Sequence, residues 1–275
     1  VGAILAFPDG ILTLCCFAVP LVVIVLYSFW KIDLTTFTVT TNWNLGNYGD
    51  IFKSIYLQAL LRSILITLAT VVGCLLLGLP IAYFIASCKG KLQLLMIGAI
   101  VIPFWTSFVV RTYAWLELLG AHGVITQALV HMHLVADGTD LRYSTTAVII
   151  GMVYSYLPMM ILPVYSTFEQ LDQPLLEAAA DLGKTPSQAF FQIVMPSCGG
   201  GIVAGSLLVA IPALGEYTIP AILGGSKTLM IGNVIASEFQ TTGNYPRGAA
   251  LSSVLMVAVL LIIIGKQIMQ WRKVR

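Results

Sequence analysis

Six stretches of this chain carry no charged residue and run long enough to cross a bilayer as helices. They lie between Asp9 and Lys31, Arg62 and Lys89, Lys91 and Arg111, Arg142 and Glu169, Lys184 and Glu216, and Arg247 and Lys266. About 20 apolar residues carry a helix through roughly 30 Å of hydrocarbon, and even the two shortest gaps, the third and the sixth, are adequate. The apolar runs are continuous and do not alternate residue by residue, which excludes a membrane β-barrel. Of the 275 residues, 58% are hydrophobic and 9% charged, against about a quarter charged in a soluble domain. The expectation is an all-α, polytopic membrane protein forming one domain over residues 1–275. Its six transmembrane helices are expected at about 10–30, 64–88, 92–111, 146–168, 199–223 and 247–268.

The distribution of positive charge orients these spans. Lys89 and Lys91 crowd one tight turn without an acid, and Lys266, Arg272, Lys273 and Arg275 crowd the C-terminal tail. The preference of short basic segments for the cytoplasm places both there, and six spans then put the connection around Glu177 on the same side. The segment 31–56 becomes external, polar, threonine-rich and partly extended. In the external segment 112–143, apolar residues within 124–135 recur at helical spacing around His131 and His133, as suits a helix lying at the surface. Pro158 and Pro163 in the fourth span, and Pro212 and Pro220 in the fifth, predict kinks or breaks. A membrane tolerates such breaks where the backbone faces protein or a water-filled path.

Several function classes fall away. The net charge of +2, with 14 basic residues scattered along the chain, argues against nucleic acid. The five cysteines lack the spacing of a metal site. His131 and His133 point apart on a helix with no third ligand near them, so no metal is expected. No nucleophile, base and orienting group occur together, so no catalytic residue is assigned. The chain begins at Val1, so the native N-terminus is expected to lie outside it. The first apolar run is too long for a signal peptide.

The polar stretch from Leu171 to Gln188 reads as two short helices with their stops written in. Asp172 can cap the first, Pro174 suits its opening turn, and Gly183 can take the left-handed conformation that ends it. Thr185 caps the second, with Pro186 at its first position and Gln188 placed to close a capping box. Glu177-Ala178-Ala179, then Gly183, Ile193, Met195 and Pro196 resemble the EAA signature of permease subunits of ABC importers, with Met195 where that family usually has leucine. The resemblance implies a coupling helix within residues 171–196, seated in a cleft of a separate ATPase subunit. Glu177, Ala178, Ala179, Asp181, Leu182 and Gly183 would form the ATPase-coupling surface, and Glu177 would pair with a basic group on the partner.

Three further segments, Ile102–Trp115, Leu157–Gln188 and Pro212–Gly225, are similar to the spermidine/putrescine importer permeases. The likeness runs from about Asn47 to Gly248. Permeases for iron, sulfate, molybdate and thiamine share parts of these motifs and stay as the alternative. The resemblance implies a type I, MetI-like permease fold in a bacterial inner membrane, with the C-terminus cytoplasmic. Its implied partners are a second homologous permease, two copies of an ABC ATPase and an extracytoplasmic substrate-binding protein. ATP and Mg would be bound by the ATPase, leaving this chain without a cofactor and without catalysis of its own.

Two readings of Glu216 stand side by side: a path-lining carboxylate for a cationic substrate, and a hydrogen-bonding anchor at a helix break. An ionisable group in an apolar span costs a few kcal/mol to insert and therefore faces a polar path or a partner. For Trp105, Tyr113 and Trp115 around Arg111, one account is an interfacial aromatic belt with Arg111 snorkelling to the headgroups. The other gives Trp105 a face that can strip water from a passing ammonium and Arg111 a gate or docking role. Tyr113, Tyr154, Tyr156 and Tyr217 complete the candidate substrate path, with ordinary helix packing as the competing account for Tyr154 and Tyr156.

Overall fold

The computed structural model describes residues 2–33, 36, 38–171, 181 and 183–274. Their regular elements are helical apart from one small hairpin, and they divide into two compact units, residues 1–61 with 231–275 and residues 62–230.

In the first unit, α1 (Gly2–Ser28) packs along the last helix, α10 (Tyr245–Val274). The expected extended segment is a hairpin of β1 (Lys31–Asp33) and β2 (Thr38–Thr40), with Ile32 opposite Val39. It leads to the short helix α2 (Gly46–Asp50). Asn47 ties α2 to the end of α1, its Nδ2 donating to the carbonyls of Ser28 at 2.9 Å and Trp30 at 2.8 Å. The helix α9 (Ile231–Gln240) lies against α10 and carries Ile231, Val234 and Ile235 into a small core with Tyr56, Ala59 and Leu251. The sequence reading missed α9, because it is too short for a span and polar along one side.

The second unit is built around α7 (Thr145–Glu169). The helices α3 (Ser54–Ser87) and α8 (Gly199–Leu214) approach it where small residues permit. A Cβ at Gly73 of α3 would stand 2.7 Å from Val153 Cγ2, and one at Gly201 of α8 would stand 2.8 Å from the Pro163 carbonyl oxygen. Backbones this close maximise van der Waals contact, which replaces the hydrophobic drive between helices in lipid. The proline expectations divide. α7 continues through Pro158 and Pro163, whereas the fifth stretch breaks after Leu214 and resumes in a π-helical turn at Pro220–Gly224.

The third stretch, expected as a span at about 92–111, is bent. α4 (Lys91–Val101) runs into a 3-10 turn, Ile102–Trp105, and then meets α5 (Phe108–Leu118) at 97°. Thr106 and Ser107 are extended there, with ψ of 152° and 133°. Pro103 sits in the turn, where its missing N–H and fixed φ end the α-helical ladder. The surface helix α6 (Val124–His131) follows.

By length and composition α3, α7 and residues 245–265 can each cross a membrane. Two bent pairs, α4 with α5 and Phe190–Ser197 with α8, bring the number to five, and α1 adds the shorter apolar helix Leu14–Ser28. The expected all-α polytopic architecture is therefore present.

Candidate translocation and coupling sites

The break in the fifth stretch holds a carboxylate in three hydrogen bonds. α8 ends at Leu214 with Gly215 as its C-cap, and the next residue, Glu216, folds its carboxylate back over the chain that follows. Its Oε1 accepts from the backbone N–H of Thr218 at 2.8 Å and of Ile219 at 3.3 Å. This is a capping arrangement: two otherwise orphaned amides receive a charged acceptor at the start of a helical turn. The other oxygen, Oε2, accepts from the hydroxyl of Tyr156 on α7 at 2.6 Å, and Tyr156 is only 6% exposed. Each carboxylate oxygen offers two lone-pair sites, so Oε1 is saturated and Oε2 retains one. Glu216 is half-buried.

The aromatic candidates separate. Tyr156 joins Glu216. Tyr154, one turn-half away on α7, packs its ring on Trp115 of α5 at 5.2 Å, and the turn 220–224 packs against both α5 and α7. Tyr217 is exposed beside Glu216. Trp105 is 86% exposed at the bend and Tyr113 is exposed on α5, so neither is drawn into the Tyr156–Glu216 pair. The guanidinium of Arg111 lies over Phe104 at 4.7 Å and Phe108 at 5.8 Å. Its Nε and Nη1 are enclosed without a hydrogen-bond partner among the described residues. The two phenylalanines were not singled out in the sequence; their spacing of three and seven residues before Arg111 was the available signal.

Of the coupling residues, Glu177, Ala178, Ala179 and Leu182 lie outside the described residues, as do the cap Asp172 and Pro174. Asp181 is exposed, and Gly183 has φ of +78°, the left-handed conformation that glycine adopts without a steric penalty. The capping box is formed. Thr185 N donates to Gln188 Oε1 at 3.1 Å, and Gln188 N donates to Thr185 Oγ1 at 3.4 Å.

Over residues 9–271 the chain matches the family described as the binding-protein-dependent transport system inner membrane component. It belongs to that family. It is 37% identical, over 93% of its length and 88% of the relative's, to the spermidine/putrescine transport system permease protein PotB of Salmonella typhimurium. The PotB of Haemophilus influenzae is 40% identical over 79% of this chain and 76% of that protein. Among solved structures, a bacterial ABC transporter involved in import of the acidic polysaccharide alginate superposes with a TM-score of 0.70. The match covers 98% of this chain and 94% of that one at 18% identity, a likeness of fold.

Two polar clusters of this permease were not legible in its sequence. In the first unit Asp50 Oδ1 pairs with Lys53 at 2.7 Å and Oδ2 with Arg247 at 3.0 Å. The hydrogen bond from Lys53 holds the Asp50 carboxyl below its ordinary value, desolvation opposes this, and the charge of Arg247 adds to the lowering. Glu238, 7% exposed, accepts from the Tyr56 hydroxyl at 2.9 Å. In the second unit Gln93 of α4 donates to Tyr165 Oη at 2.8 Å, and Tyr165 donates to Glu169 at 2.7 Å. Asp50–Lys53 and Tyr165–Glu169 are local pairs, but Arg247, Glu238 and Gln93 reach partners that no local pattern announces.

Proposed function

We propose that this chain is one of two permease subunits of an ATP-driven importer of polyamines such as spermidine and putrescine. The observation that carries the reading is the 37% identity to a spermidine/putrescine permease along 93% of the chain. The half-buried carboxylate of Glu216, pinned by Tyr156 with one acceptor site left, supplies chemistry suited to an alkylammonium. In this reading the chain crosses the bacterial inner membrane with its C-terminus in the cytoplasm. It pairs with a second homologous permease, receives substrate from an extracytoplasmic binding protein and rests on two ABC ATPase copies.

ATP and Mg belong to those ATPases, and the permease has no catalytic role. Closure of the ATPases displaces the segment 171–196, and the broken stretches at Thr106–Ser107 and Gly215–Tyr217 change their angles to open the path. Within the path, Glu216 accepts from a substrate ammonium while Trp105, Tyr113, Tyr154 and Tyr217 offer aromatic faces. Arg111, a fixed positive charge, opposes passage of cations when the path is shut.

The test is ATP hydrolysis by the purified complex with its binding protein, in the presence of putrescine, spermidine, sulfate or ferric iron in turn. Stimulation by a polyamine alone supports the reading; stimulation by an oxyanion or iron overturns it.

A further inference from the structure

Three aromatic rings from three stretches of the second unit meet, two of them flanking residues 171–185 in the sequence. Phe168 lies in the last turn of α7, before that segment. Phe190 follows it, opening the π-helical turn Phe190–Val194. Tyr83 stands one turn before the end of α3. Its ring meets Phe168 edge-on, with centroids 5.6 Å apart at 80°, and meets Phe190 at 5.1 Å and 76°. One ring therefore contacts both phenylalanines. Edge-to-face contacts depend on the mutual angle of the rings, so a tilt of either phenylalanine is felt at Tyr83 as a change of force.

The surrounding backbone makes this contact a transmitting one. The π-helical turn, a geometry that recurs at functional positions, sets Phe190 against Tyr83 while Val194 enters the core at 1% exposure. Above Tyr83, α3 approaches α7 so closely that a Cβ at Gly73 would overlap Val153, and one at Gly78 would stand 3.0 Å from Met160 Cγ. Helices packed to this tolerance shift together because no void absorbs the motion. The Tyr83 hydroxyl makes no hydrogen bond among the described residues, so the contact rests on the ring.

We infer that Tyr83 is a positioning residue that contacts the two phenylalanines flanking residues 171–185, Phe168 and Phe190, and passes their displacement into the paired helices α3 and α7. This rests on the proposed coupling of that segment to an ATPase. The experiment uses the assembled transporter with its ATPase and binding protein in proteoliposomes. It compares ATP hydrolysis without substrate, hydrolysis with the spermidine-loaded binding protein, and copurification of the ATPase, for wild type, Tyr83→Phe and Tyr83→Ala. The expected result is unchanged assembly and unstimulated hydrolysis in all three, with stimulation retained in Tyr83→Phe. In Tyr83→Ala, stimulation should fall by roughly fivefold or more, the scale of a coupling between sites.

Tyr83→Leu keeps apolar volume without a ring edge and should show the same loss, so a failure of the alanine variant to assemble still leaves a decisive variant. Full stimulation in an assembled Tyr83→Ala or Tyr83→Leu complex overturns the inference while leaving the proposed function standing. A wild type that spermidine does not stimulate overturns the proposed function and the inference with it.

Discussion

Replacing Tyr156 with phenylalanine removes one oxygen from the second unit and leaves the ring in place. The lost bond is 2.6 Å long, from a donor that is 6% exposed to a carboxylate oxygen of Glu216. A hydrogen bond to a charged group contributes about 1.5–3 kcal/mol. Glu216 is half-buried, so water can take up the freed lone pair, and its Oε1 keeps both backbone donors. The expected cost is therefore at the lower end, about 1.5 kcal/mol.

Thermal unfolding of the detergent-solubilised complex measures this in a double-mutant cycle with Glu216→Gln. Most of the cost should vanish in the Glu216→Gln background, because the charge that strengthens the bond is gone. Tyr154→Phe is the internal control. Its ring contact with Trp115 survives the change, and it should lie within about 0.5 kcal/mol of wild type. If Tyr156→Phe costs the same with and without the Glu216 charge, the bond is not what fixes the carboxylate and the account of the break is wrong.

Gly201→Ala should destabilise by about 1–3 kcal/mol through overpacking, because the new Cβ meets the Pro163 carbonyl and Thr167; Gly199→Ala, with nothing within 4 Å, should be near neutral in the same unfolding assay. Asp50 titrates below its ordinary value of 3.8 when folded. Its pairing with Lys53 and Arg247 therefore adds stability that is complete above that value and is lost as pH falls through the folded one. Asp50→Asn should flatten the acid limb of the unfolding midpoint below pH 3.8; an unchanged acid limb would remove Asp50 from the acid response.

Local chemistry was legible in the sequence. The capping box needs only Thr185 and Gln188 three residues apart, and Gly183 reads as a left-handed helix stop, which matches its positive φ. Glu216 drew attention because a lone charge in an apolar run must be answered by something. What answered it, Tyr156, is 60 residues away, and no spacing rule reaches across helices. The bend at Thr106–Ser107 escaped because a charge-free run looks the same straight or broken, and Pro103 was read only as part of a resemblance. The helix α9 escaped for a related reason: Glu238 interrupts its apolar face, and its buried partner Tyr56 lies 182 residues away. The Tyr83 cluster likewise joins helix ends that only the folded chain brings together.

Uptake of labelled spermidine into proteoliposomes holding the complete complex, supplied with its binding protein outside and ATP inside, bears most directly on the central claim. The account predicts accumulation that requires ATP and the binding protein, and that falls when Glu216 is changed to glutamine. Equal accumulation without ATP, or by this chain alone, would contradict it.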